Sequence, residues 1–228
     1  MQRVKRVMLS IFSFAVICIL MTYIICANEG PVFKFKNNED KKIALTFDDG
    51  PHPVKTKKIL DILDKYGVKA TFFVVGVNVK NYPSAFECIV ERGHEIGNHT
   101  YSHTVLNKRS KEMISKEIDM TEERISSASK TRSGLIRPPC GEYDETLVKI
   151  ALENDYKIVL WNIDTKDWAH ASKKSIIDNV MDNVNGGDII LFHDYISGKN
   201  NTIEALDYLI PKLISDGYEF VSVSELLQ

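Results

Sequence analysis

Two adjacent carboxylates, Asp48 and Asp49, stand at the end of the run Ile43-Ala44-Leu45-Thr46-Phe47 and are followed by Gly50-Pro51. The apolar run reads as a strand and the Gly-Pro as a turn, which puts both acids at the C-terminal lip of that strand. Side chains alternate along a strand and the alternation breaks at the turn, so two neighbours can converge on one site and take different parts. His99 and His103 are four apart, a spacing that sets both on one side of a helical turn and suits shared metal coordination. Two imidazoles and one carboxylate leave an open position on a zinc-like ion, the arrangement of a hydrolytic site. A water there is acidified towards neutrality, and the second carboxylate is placed to take its proton. Each feature alone also fits a plainer role as a solvated turn or a surface histidine pair.

Three later segments supply what such chemistry lacks. In Leu135-Ile136-Arg137-Pro138-Pro139-Cys140-Gly141 the prolines fix an extended bend that aims Arg137, and Gly141 lets the chain pass close to a ligand. An arginine beside a carboxylate that must stay ionised lowers its pKa and orients it. His193 leaves an apolar run at its polar end and reads as a general acid, with Asp167 the aspartate that holds its tautomer and raises its pKa. Trp168 offers a flat apolar face suited to a sugar ring. His52, His94 and His170 read as structural or solvated.

These residues need a scaffold that brings distant segments to one lip. Strand-like runs near 43–48, 70–75, 94–98, 134–137, 156–162, 188–193 and 218–222 alternate with helical patterns. That is the sign of βα units in a parallel sheet or barrel. Val54 to Tyr66 puts Ile59, Ile62, Leu63 and Tyr66 on one face, and Lys111 to Ser127 does so with Met113, Ile114, Ile118 and Ile125. Gly67, Gly93, Gly134 and Gly217 precede strands, as helix-ending glycines do. No Gly-x-Gly-x-x-Gly follows the first strand, which argues against a dinucleotide-binding sheet. In a barrel, residues for chemistry gather at the C-terminal ends of several strands.

The chain has 228 residues, 44% hydrophobic and 26% charged, with 29 basic against 31 acidic side chains. This suits one folded domain and gives no electrostatic case for nucleic-acid binding. Arg3, Lys5 and Arg6 precede an uncharged run from Val7 to Ala27, long enough to span a bilayer as a helix with the rest of the chain outside. We therefore expect a membrane anchor over 1–27, the competitor being a cleaved signal peptide and a secreted domain. A polar linker over 28–42 and a domain over 43–228 follow. Cys18 and Cys26 fall in the apolar run, and the remaining pair, Cys88 and Cys140, forms no metal or disulfide framework.

In order, Thr46-Phe47-Asp48-Asp49-Gly50, His99-Thr100-Tyr101-Ser102-His103, Arg137-Pro138-Pro139-Cys140-Gly141, Asp164-Thr165-Lys166-Asp167-Trp168 and Leu191-Phe192-His193 resemble the motifs of the NodB-type polysaccharide deacetylases, carbohydrate esterase family 4. The likeness runs from about Ile43 to the C-terminus. It implies an α/β fold, a distorted (β/α) barrel with about seven parallel strands. It also implies metal-dependent removal of N- or O-acetyl groups from sugars. By the resemblance, Asp48 is the catalytic base, Asp49, His99 and His103 hold the metal, and Arg137 positions the base. Asp167 tunes the catalytic His193, while Leu191 and Trp168 line the acetyl pocket and groove. Cys140 stands where an aromatic is common, so only its backbone N–H is expected to act. The donor set accepts Zn2+, with Co2+ or Ni2+ also suitable. The expected substrate is N-acetylglucosamine of peptidoglycan, with chitooligosaccharide or acetyl-xylan as alternatives and a catalytically silent glycan-binding domain as a reading from another class. The implied partners are a glycan polymer and the membrane, with no nucleic acid and no obligate protein partner.

Overall fold

The computed structural model describes residues 30–36, 40–198 and 201–228. The anchor expected over 1–27 lies outside the described residues. Among those described, no helix is long and apolar enough to cross a membrane.

In chain order the elements are β1 (Val32–Phe33), β2 (Lys42–Asp48), α1 (Lys55–Tyr66), β3 (Thr71–Val74), α2 (Gly76–Asn81), α3 (Pro83–Glu91), β4 (Glu95–Asn98) and α4 (Lys111–Ser129). Then come β5 (Leu135–Ile136), α5 (Glu145–Glu153), β6 (Lys157–Val159), β7 (Ile163–Asp164), α6 (Lys173–Asn183), β8 (Ile189–His193), α7 (Thr202–Ser215), β9 (Glu219–Phe220) and α8 (Val223–Leu226). The strands form a parallel α/β half-barrel in the order β1-β6-β5-β4-β3-β2-β8-β7, with β9 beside the start of β2.

Parallel strands covered on both faces read as near-continuous apolar runs, and β2 is buried at every residue after Lys42. Alternation divides its side chains between two environments. Leu45 and Phe47 pack outward under α1 and α7, where the Phe47 ring stacks on Phe72 at 4.9 Å and Phe192 at 5.8 Å. Ala44 turns inward to Phe73, Leu135, Val159 and Ile189, a plug closed by Leu226 of α8. Thr46 and Asp48 continue that inward face, so the interior passes from apolar at the base to polar at the C-terminal lip.

Several expectations are corrected. The run 156–162 is not one strand. It shortens to β6, which pairs with β5, and a separate strand, β7, begins only at Ile163 and pairs with β8, so consecutive strands lie on opposite sides of the sheet. The strand near 218–222 shortens to Glu219–Phe220 and pairs only with Lys42–Ile43 at the base. Val32–Phe33, inside the stretch read as linker, forms β1 against β6. The long helix α4 ends on Lys130, left-handed at φ 64°, and not on Gly134. Met113 on that helix is exposed, whereas Ile114, Ile118 and Ile125 face the core.

Candidate active site

Neighbouring strands set the distances at the lip. Asp48 at the end of β2 is the register partner of His193 at the end of β8, which puts their backbones about 4.8 Å apart. Asp49 follows in a left-handed conformation, φ 74°, that swings its carboxylate away from the strand direction. A Cβ on the next residue, Gly50, would lie 2.1 Å from the Asp194 carboxylate, so this turn requires glycine.

His99 leaves β4, and His103 follows in a loop and not on the expected helical turn, with Thr100 and His103 both left-handed. Glu117 of α4 holds that loop, accepting from the Tyr101 and Ser102 N–H groups at 3.0 and 2.8 Å and from the Ser102 hydroxyl at 2.9 Å. The bend brings His103 Nε2 to 3.1 Å and His99 Nε2 to 3.4 Å from Asp49 Oδ1.

The protonation pattern of this cluster follows from its partners. The Arg137 carbonyl can only accept, so His99 Nδ1–H donates to it at 2.7 Å, which in the neutral ring leaves the lone pair on Nε2. That lone pair faces the Asp49 carboxylate, acceptor against acceptor. Asp49 Oδ1 is itself buried and receives no well-directed hydrogen bond. The three ligand atoms lie within 4.8 Å of one another. One carboxylate oxygen and two imidazole nitrogens converging on one point can hold a cation, and that donor set suits a borderline metal such as zinc. Burial opposes ionising Asp49, but the two imidazoles outweigh it and hold its carboxyl well below the usual carboxylate range. Asp49 in turn raises the His103 pKa.

Asp48 is governed from behind. Arg137 is fully buried and spends its donors on Asp48 Oδ1 at 2.7 Å, the Thr46 hydroxyl at 2.8 Å, and the carbonyls of Val159 and Leu160 at 3.1 and 2.9 Å. One carboxylate oxygen is thus fixed, and Oδ2 remains on the cluster side, 3.7 Å from His99 Nε2. His193 is governed similarly. Its Nδ1 donates to Asp167 Oδ1 at 2.8 Å, its backbone N–H to Asp167 Oδ2 at 2.9 Å, and the Thr202 hydroxyl to the same oxygen at 2.6 Å. Burial disfavours protonating His193, but Asp167, with Asp48 and Asp49 behind it, outweighs that and pushes the pKa up to about 9.

A pocket of about 360 Å3 opens over these groups, lined by Asp48, Asp49, His99, His103, Cys140, Trp161, Asp164, Trp168, Leu191 and His193. Eight of the ten residues singled out from the sequence reach it, and the other two, Arg137 and Asp167, stand directly behind Asp48 and His193. Cys140 is left-handed at φ 60°. Trp168 is half exposed, and its indole N–H donates to Asp164 at 3.2 Å. Cys88 and Cys140 are both free thiols. Trp161, Asp164, Glu117 and Thr202 were not legible as site residues. Asp194 was also missed. It is buried against Gly50, accepts from the Thr56 hydroxyl at 2.5 Å, and burial pushes its carboxyl up to about 7.

A parallel half-barrel that gathers an acceptor cluster, an arginine-held carboxylate and an aspartate-held histidine at its C-terminal lip has the layout of a hydrolase. The polysaccharide deacetylase family model matches residues 35–159, and the chain belongs to that family, carbohydrate esterase family 4. It is 39% identical over 193 residues to a peptidoglycan-N-acetylglucosamine deacetylase of Bacillus cereus, covering 84% of this chain and 90% of the relative. The crystal structure of the Bc1960 peptidoglycan N-acetylglucosamine deacetylase superposes with a TM-score of 0.85 at 37% identity, covering 89% of this chain and 95% of that one. A family 4 acetyl xylan esterase from Clostridium thermocellum, solved with a cobalt ion, superposes at 0.74 with 40% identity, covering 81% and 89%.

Proposed function

We propose that the protein hydrolyses the N-acetyl group of N-acetylglucosamine in peptidoglycan, using a divalent cation held by Asp49, His99 and His103. Zinc suits this donor set best, and cobalt or nickel could replace it. When bound, the cation acidifies a water and polarises the acetyl carbonyl. Asp48, its Oδ1 held by Arg137, takes the proton of the attacking water on Oδ2. The backbone N–H of Cys140, which donates to no backbone carbonyl among the described residues, faces the developing oxyanion. His193, its Nδ1 engaged by Asp167, protonates the departing amine from Nε2, without which an amine leaves poorly. Leu191 packs against the acetyl methyl and Trp168 against the sugar face.

The observation that supports this reading is the register pairing of Asp48 with His193 beside the Asp49–His99–His103 cluster, an arrangement that suits a base and an acid acting on one carbonyl. The reading also puts the domain outside the cell, tethered by residues 1–27. It is tested by acetate release and product mass spectrometry on peptidoglycan glycan and on chitin oligomers, with and without chelator. Chelator-sensitive loss of acetyl groups from the N-acetylglucosamine units supports it. Turnover that ignores the chelator, or no acetate from either glycan, rejects it.

A further inference from the structure

The three proposed cation ligands are not held alike. His99 is packed, its side chain 3% exposed and its Nδ1–H on the Arg137 carbonyl. The Asp49 and His103 side chains are 30% and 42% exposed, and both residues lie outside the strands, so packing alone does not fix them. Their position depends on how the backbone beneath them is held. Asp49, Thr100 and His103 are all left-handed, which keeps both loops away from the conformations their residues prefer.

Four consecutive residues at the junction of β3 and α2 hold both loops. The Val75 N–H donates to the Gly50 carbonyl at 2.9 Å, and the Asn78 side-chain amide donates to the Asp49 carbonyl at 2.8 Å. The Gly76 and Val77 N–H groups reach the other loop, donating to the Thr100 and Tyr101 carbonyls at 3.0 and 2.9 Å. So close an approach needs a bare backbone, because a Cβ at position 76 would stand 2.7 Å from the Thr121 hydroxyl and from the Tyr101 ring. One short segment thus grips the Asp49 loop and the His103 loop together and sets the span between them. Three of its four bonds come from the main chain and survive any change of side chain. Asn78 makes the fourth, and a carbonyl partner requires the amide nitrogen at that place. Asn78 is not among the walls of the catalytic pocket.

We infer that Asn78 is a positioning residue for the cation seat, holding Asp49 at the separation from His99 and His103 that a metal ion needs. The assignment rests on the cation seat of the proposed function and adds to it a residue 29 positions from Asp49. It acts by preorganisation: ligands already in place spend no binding free energy on being ordered, and the partners that orient ligands are worth about 10-fold to 100-fold in metal affinity.

The test is a zinc titration of the full-length protein against a competing chromogenic chelator, with acetate release measured at saturating zinc. In Asn78→Ala the zinc dissociation constant should rise about tenfold or more. Asn78→Leu, which keeps the bulk and lacks the donor, should show the same rise, whereas Asn81→Ala, exposed on the same helix, should match the wild type. At saturating zinc kcat should change less than the affinity does. The cobalt-loaded Asn78 variants should also differ from the cobalt-loaded wild type in their visible absorption bands, which report ligand geometry and which a general loss of stability does not move. Zinc affinity equal to the wild type in both Asn78→Ala and Asn78→Leu, or an equal loss in Asn81→Ala, overturns the Asn78 assignment alone. A wild type that binds no zinc overturns the cation seat, and this inference with it.

Discussion

Two carboxylate–imidazole groups face each other across the same pocket, and they are built oppositely. Between His193 and Asp167 donors and acceptors are matched, with Nδ1–H on one Asp167 oxygen and the backbone N–H and Thr202 on the other. At Asp49 the matching fails, because His99 Nε2 and Asp49 Oδ1 both present lone pairs. Under the proposed function, the same residue types would serve as a proton carrier at His193 and as a cation seat at Asp49. Exposure differs in the same sense, since the Asp167 side chain is sealed while that of His103 is 42% exposed, open to an incoming ion.

The contrast can be broken from either side. The largest expected effect is at the cation seat, where His99→Ala should lose bound metal and all measurable turnover. Asp48→Asn, outside the seat, should keep metal and lose about 100-fold or more in kcat. Metal analysis of the two purified proteins beside acetate release checks this, and equal metal loss in both would erase the division of roles.

A smaller effect is expected at the proton carrier. His193 must be protonated to act, so with its pKa raised to about 9 activity holds below that pH and falls as pH rises through it. Asp167→Asn removes the chief raising partner. The alkaline limb of the kcat profile should therefore move down towards the ordinary histidine value of about 6.5, with metal content unchanged. A limb that stays in place would separate it from His193. The smallest effect belongs to Trp168. Trp168→Ala should raise KM about threefold to tenfold with kcat nearly constant, read from initial rates on glycan oligomers.

The site was legible in the sequence wherever a strand hands its last residue to the lip. Asp48, Arg137 and His193 each follow an apolar run, and strand alternation then fixes which side they take. The residues that hold the loops were not legible, because their partners are distant in sequence. Thr202 reaches Asp167 across 35 positions, and Glu117 sits on a helix whose pattern marks it only as solvated. The His99–His103 spacing suggested a helical turn, yet two left-handed residues bend the loop instead, and no periodicity encodes that. Strand β1 escaped notice for a related reason, since two residues are too few to show a period of two. Where β6 stops at Val159 and β7 starts at Ile163 depends on which neighbours the chain meets, which is tertiary information.

Arg137 has one more bearing. Among the described residues its ion pair is with Asp48, and the guanidinium itself is sealed from solvent. Neutralising Asp48 strands a guanidinium charge in the barrel interior, a loss on the order of 3–5 kcal/mol. The proposed base is therefore also the counter-charge that lets the half-barrel bury an arginine. A lineage drifting towards inactivity could not discard the acid at position 48 cheaply unless position 137 changed with it.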